Sequence, residues 1–268
     1  MGRSLSAGLG VVPKLAFENV CLSYFTDSGE TRALDNVSFR IMPGEIVSIV
    51  GQSGCGKSTL LSLLAGLLSP TSGSVTIDNL PVQKQSVAIG FMLQQDTLFE
   101  WRTILGNTLL GPEVRGHNLA TARASAERLL ERYGLGDFKQ HFPHQLSGGM
   151  RQRAALARTM CMDPSILLLD EPFSALDFQT RITISDEIVQ IIRREGKTAI
   201  LVTHDINEAV AMADRVLVMS RRPGRIKSEH IMTFDGVDRR QISSHDLREM
   251  PAFNHAFQAI WRDLDVHV

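Results

Sequence analysis

Two short stretches hold the residues whose types and spacing can do chemistry together. The first is GQSGCGKST, running from Gly51 to Thr59, which fits G-x-x-x-x-G-K-[ST]. Glycines 51, 54 and 56 carry no Cβ, so the backbone can wrap closely around a phosphate. Gln52, Ser53, Cys55 and Thr59 complete the cradle, whose backbone N–H groups and following helix N-terminus supply partial positive charge. Lys57 is placed to bridge the β- and γ-phosphates of a nucleotide, and the Ser58 hydroxyl to ligate Mg²⁺. The second stretch is ILLLDEP, from Ile166 to Pro172. Its apolar run buries a strand and pushes Asp170 out at the carboxyl end, where open α/β sheets bind ligands. Asp170 can then hold Mg²⁺, and Glu171 can polarise an attacking water as general base, an effect of roughly 10²–10⁴ in rate. An acidic pair can also simply solubilise a strand end; beside a phosphate loop, catalysis is the better reading.

A third stretch, LSGGMRQRAALAR from Leu146 to Arg158, raises a question. Ser147, Gly148 and Gly149 open a helix, an arrangement that favours anions, in a chain that already has a phosphate cradle. Serine is equally a favoured N-cap that needs no ligand. The residues alone leave both readings open.

The elements that must position these groups alternate along the chain. EIVSIV (45–50), SVAIGFM (86–92), SILLLD (165–170), TAILVT (198–203) and RVLVMS (215–220) read as strands, several apolar throughout as in a parallel sheet covered on both faces. Helices are expected from Lys57 to about Leu68, from Gly148 to about Met162 and from Leu176 to about Arg194. That order indicates an α/β fold. Looser alternation in the first quarter, with a Pro43-Gly44 turn, adds a small antiparallel sheet. Between Gln94 and Asp163 there is no strand signal, and Ala122, Ala126, Leu129, Leu130 and Tyr133 share one helical face. A helical insertion is expected there. Near the end, Phe253, Phe257, Ile260, Trp261 and Leu264 repeat the helical spacing after a polar stretch, which predicts a short helix packed back on the body.

Composition narrows the classes. With 43% hydrophobic and 21% charged residues the chain is ordinary for a globular protein. Its 28 basic and 29 acidic residues leave a net charge of -1, which argues against nucleic acid as the main partner. Cys21, Cys55 and Cys161 are too scattered for a disulfide framework or a zinc site and point to a reducing compartment. No apolar run approaches the roughly 20 residues of a membrane-spanning helix. Cys55, against the cradle, has two readings: a thiol whose pKa is lowered by an electropositive setting, or an inert filler.

In order, GQSGCGKST, LSGGMRQR, LLLDEP, SALD (Ser174–Asp177) and VTHD (Val202–Asp205) resemble the ATP-binding-cassette ATPases, over nearly the whole chain. The resemblance implies a RecA-like P-loop NTPase core with a parallel sheet, a small antiparallel β subdomain and an inserted α-helical subdomain at about 95–163. The cassette is expected over 14–236, with a flexible tail at 1–13 and a short helical tail at 237–268. It also implies that two cassettes, by default identical, pair head to tail. Ser147, Gly148 and Gly149 of one chain then cap the γ-phosphate held by Lys57 of the other. Residue by residue, Tyr24 matches the aromatic that stacks on adenine. Gln94 matches the glutamine that senses Mg²⁺ and the γ-phosphate. His204 matches the switch histidine, and Asp177 the aspartate that communicates across the dimer.

Within that family, GCGKSTLLSLLAGLLSPTSGSV, Trp101-Arg102-Thr103 and the ending MSRRPGRI…FNHAFQAIW resemble the nitrate, sulfonate and taurine importer ATPases. Glu100 stands where a proline commonly precedes the tryptophan. The resemblance implies an ATP- and Mg²⁺-dependent importer subunit at the cytoplasmic face of the cell membrane, bound to two permease subunits and served indirectly by an external solute-binding protein. The segment around Leu98, Phe99 and Trp101 would border the groove for a permease helix; burial in the helical subdomain is the competing reading. The rival function, a soluble cassette ATPase acting on nucleic acid or ribosomes, is disfavoured by the neutral charge and the missing coiled-coil insertion.

Overall fold

The computed structural model describes residues 12–26, 29–85, 88–234, 237, 242 and 244–264. Most of the expected 1–13 tail and of the polar stretch at 235–246 lies outside those residues.

The site rests on a six-stranded sheet whose central strands are apolar on both faces. It is built from β3 (Ile46–Val50), β6 (Ile89–Met92), β7 (Ile166–Asp170), β8 (Thr198–Thr203), β9 (Arg215–Met219) and β10 (Ile226–Ile231), in the order β10-β9-β3-β8-β7-β6. The five strands from β9 to β6 pair in parallel, and β10 closes one edge antiparallel to β9. Side chains alternate across this sheet, as the strand period requires. Val47, Ile49, Ile166 and Leu168 face one hydrophobic core, while Ile46, Val50, Leu167 and Leu169 face the other. Register then aligns the ends. Val50 of β3 lies opposite Thr203 of β8, and Asp170 of β7 opposite Val202. Gly51, Glu171 and His204 therefore emerge side by side at one carboxyl edge.

Against one face of the sheet lies α1 (Lys57–Leu64), with a second sheet beyond it formed by β1 (Leu15–Thr26), β2 (Gly29–Ile41), β4 (Ser72–Ile77) and β5 (Leu80–Pro81) in the antiparallel order β2-β1-β4-β5. The helix α1 stops a turn before the expected Leu68. Gly66 adopts φ +70 just past it, and the Leu67 N–H returns to Ser62 O at 2.9 Å, a left-handed glycine stop.

The other face carries the helices. Between β6 and β7 come α2 (Ile104–Thr108), α3 (Leu110–Val114), α4 (Leu119–Arg132) and α5 (Gly148–Met160). Asn118 caps α4 through Ala120 N–H, and Ala126, Leu130 and Tyr133 are buried. Leading into α2, the buried Asn107 accepts from Phe99 N–H at 2.7 Å and donates to the carbonyls of Phe99, Arg102 and Thr103. This knot divides the apolar cluster. Leu98 turns into the core, whereas Trp101 is 74% exposed and stacks on Phe99 at 4.8 Å. After β7 come α6 (Phe178–Arg194), α7 (Ile206–Met212), α8 (Ser244–Glu249) and α9 (Pro251–Asp263). Phe253 and Ile260 of α9 bury as its spacing predicts; Trp261 does not, remaining 44% exposed against Phe257.

Candidate functional site

Three strand ends and the β1–β2 face enclose a cleft of about 440 Å³. Its floor is the phosphate cradle, with Ser53, Gly54, Gly56, Lys57, Ser58 and Thr59 in the lining. The cradle's glycines have different physical reasons. Gly54 and Gly56 take φ +76 and +105, which a side chain would strain. Gly51 is required for space, since a Cβ there would stand 2.6 Å from Cys55 Sγ. Gly56 is also the N-cap of α1 and has no side chain to satisfy the helix's first N–H groups. Those donors face the cleft, where an anion can take them. Lys57 is almost fully buried, its Nζ donating to Gly51 O at 2.7 Å and Gln52 O at 3.1 Å.

At one side of the cleft, Tyr24 of β1 shares a 3.1 Å hydrogen bond with Thr59 Oγ1, and its half-exposed ring borders the lining. At another stand Asp170, Glu171, Val202 and His204. Glu171 has φ +43, an uncommon conformation for a residue with a Cβ, and its N–H is anchored to Val202 O at 2.8 Å. Strain of this kind costs about 1–3 kcal/mol and concentrates at functional sites. It carries the carboxylate to 3.2 Å from His204 Nδ1. Burial, and next the neighbouring Glu171 charge, push the Asp170 carboxyl up; Lys57 partly opposes them.

Not every nominated residue lines this cleft. Gln94 is held outside it, its amide donating to Ser174 Oγ at 3.2 Å, while that hydroxyl donates to Glu171 O at 3.0 Å. Gln94 is thus tied to the Glu171 backbone through one serine. Gly51 and Gln52 face an adjoining cavity with Phe257 and Trp261, and Gln52 Nε2 donates to Leu264 O at 3.0 Å. Of the two readings of Cys55, the structure favours the inert filler. It is fully buried, and burial pushes its thiol pKa up despite the nearby Lys57, because desolvating a thiolate outweighs one lysine's attraction.

Ser147, Gly148, Gly149 and Asp177 are likewise absent from the lining. Ser147 is the N-cap of α5, its hydroxyl accepting from Met150 N–H at 3.3 Å. Gly149 packs α5 against α6: a Cβ there would meet Ile184 Cδ1 at 2.7 Å. Asp177 caps α6, and the Thr180 N–H that it accepts holds its carboxyl below the usual range. Sequence reasoning missed Thr31, Ala33 and Arg222 in the cleft wall. No local motif marks Thr31 or Ala33, which β2 brings to the cleft, and Arg222 stands in MSRRPGRI, a stretch singled out as a likeness and not as a site.

The arrangement can bind a polyphosphate at the cradle and set a carboxylate and an imidazole together beside it. Known proteins resemble the chain along most of its length. The ABC transporter family model matches residues 34–174. The ABC transporter ATP-binding protein YtlC of Bacillus subtilis is 43% identical over 94% of this chain and 95% of its own. The taurine import ATP-binding protein TauB of Jannaschia sp. is 40% identical over 88% of this chain and 87% of its own. Among solved structures, the dimeric post-hydrolysis state of the ATP-binding cassette MJ0796, bound to ADP and Pi, superposes with a TM-score of 0.70 at 35% identity, covering 82% of this chain and 99% of that one. CbiO1 of Clostridium perfringens, part of the cbiONQ transporter complex, reaches 0.75 at 29% identity over 92% and 99%. With its cradle, its acidic strand end and His204 at one sheet edge, this chain belongs to the ABC transporter family, as an ATP-binding and ATP-hydrolysing subunit.

Proposed function

We propose that the chain drives a solute importer by hydrolysing ATP between two head-to-tail copies of itself. The observation that carries the chemistry is the Glu171–His204 contact at 3.2 Å beside the cradle. In this reading Tyr24 packs on the adenine, and the amides from Gly51 to Thr59 with Lys57 hold the phosphates. Glu171 takes the proton from the attacking water while His204 orients the carboxylate and the γ-phosphate. Preorganised charge of this kind, rather than covalent chemistry, is what phosphoryl transfer needs.

Among the described residues, no cluster of three or more His, Cys, Asp or Glu side chains forms a metal cage by itself. Ser58 and Asp170 in the cleft wall are nevertheless the hydroxyl and carboxylate oxygens that suit Mg²⁺, an ion usually shared with substrate phosphates. Gln94 would join them by leaving Ser174. When bound, the ion would neutralise charge on the β- and γ-phosphates.

Ser147, Gly148 and Gly149 complete the partner's site, and Asp177 reports across the interface. The exposed Trp101, fixed by the Asn107 knot, suits a permease helix better than core packing. Among the described residues no helix is long and apolar enough to cross a membrane, so on this reading transport requires separate permease subunits at the cytoplasmic face. The likeness to the taurine importers supports a small solute bearing an anionic oxygen group, such as taurine, another sulfonate or nitrate, as cargo delivered by an external binding protein.

The test is Glu171→Gln. It should retain ATP binding, lower turnover by about 10²-fold or more and accumulate an ATP-bound dimer visible by size-exclusion chromatography. Turnover at the parent rate would remove Glu171 as the base.

A further inference from the structure

The loop joining β9 to β10, residues 220–225, is fastened against the cradle and β2 at once. Gly224 N–H donates to Ala33 O at 2.8 Å, and Gly224 O accepts from Asp35 N–H at 3.0 Å. A Cβ on Gly224 would stand 2.1 Å from Cys55 O, so this backbone touches the cradle itself and only glycine fits. Ser220 closes the loop, its N–H donating to Arg225 O at 2.9 Å and its Oγ accepting from Arg225 N–H at 3.0 Å. Arg225 is occupied, its Nε donating to Asp35 Oδ2 at 2.8 Å.

Arg222 differs. It is exposed, lines the ATP cleft with Tyr24, Thr31 and Ala33, and has no hydrogen bond or ion pair among the described residues. The lining also holds Asp170 and Glu171, so Lys57 by itself would face two carboxylates and the incoming polyphosphate. We propose that Arg222 is a further nucleotide-contacting residue, whose guanidinium pairs with the phosphate chain of bound ATP. The inference rests on the ATP reading of the cleft and adds a second cation to it. The side chain suits that role, because a planar fork of N–H donors matches phosphate oxygens and no existing ion pair has to break. Gly224, two residues away, pins the loop that carries Arg222 against the cradle.

The test titrates the full chain with ADP, ATP and adenosine, comparing the parent with Arg222→Ala and Arg222→Lys. Arg222→Ala should weaken ADP and ATP by about three- to tenfold, between the ranges for exposed and buried charge-assisted contacts. It should leave adenosine unchanged. The loss should shrink as salt is raised, and Arg222→Lys should keep most of the affinity. Unchanged ADP and ATP affinity in Arg222→Ala would overturn the proposal. So would an equal loss for adenosine with no rescue by lysine, which would put the guanidinium on the base. A parent chain that bound none of the three would instead overturn the ATP reading, and this inference with it.

Discussion

The cradle and the signature segment, Ser147-Gly148-Gly149, are both glycine-bearing helix starts, yet they are built on opposite principles. At the cradle, Gly56 caps α1 with no side chain, and Gly54 has nothing within 4 Å of where a Cβ would be. Its helix donors are left for something outside the protein. At the signature, Ser147 satisfies the α5 start internally, and Gly149 exists so that α5 can approach Ile184 of α6. The first is shaped around a ligand and the second around a neighbouring helix. A segment complete in its own packing can still present a face to a ligand held by another chain, and the proposed head-to-tail dimer would use that division of labour.

Lys57→Ala should separate the two regions most sharply. It removes the buried cation of the cradle, and ATP affinity should fall about 30-fold or more, the scale of a lost charge-assisted hydrogen bond. Calorimetric titration checks this. A loss below threefold would mean that the cradle does not bind through charge. A smaller and paired effect comes from alanine at Gly54 and Gly149. At Gly54 the strain is conformational, about 1 kcal/mol, and the main loss should be nucleotide affinity. At Gly149 the methyl group must displace Ile184, costing about 1–3 kcal/mol of stability, while nucleotide affinity of the isolated chain stays near the parent's. Urea unfolding and ADP titration on both variants read the contrast directly. If both variants lost affinity and kept stability, the two glycine starts would be equivalent after all.

The chemistry of the cradle was legible because each of its requirements is local. Strand, glycines, lysine and helix follow one another within fifteen residues of Glu45. The central strands were legible for a similar reason, since β3 and β8 are buried on both faces and Ile166–Leu169 of β7 equally so, and such runs leave little choice. The end of α1 was not, because Leu67 and Leu68 continue an apolar pattern that Gly66 has already interrupted. Cys55 kept two readings in the sequence because the charge beside it is visible there and the burial above it is not. Arg222 depends on Gly224 meeting Cys55 from 169 positions away, a contact that no local spacing encodes. For Trp261, helical spacing marked the stripe but not its rim, which the cavity beside Gln52 leaves open.

The central claim is that Ser147 acts on the nucleotide held by Lys57 of another chain. It is tested most directly by mixing two inactive variants, Lys57→Ala and Ser147→Arg, and measuring single-turnover ATP hydrolysis. The second variant gives up the α5 N-cap, about 1 kcal/mol of stability, at an exposed position with room for the arginine, so the fold should tolerate it. In a mixed dimer one composite site is intact, with its cradle from the second variant and its signature from the first. Hydrolysis well above that of either variant alone is the result expected. If the mixture stayed as inactive as its parts while mixed dimers formed, the two half-sites would have to belong to one chain, and the head-to-tail pairing would be wrong.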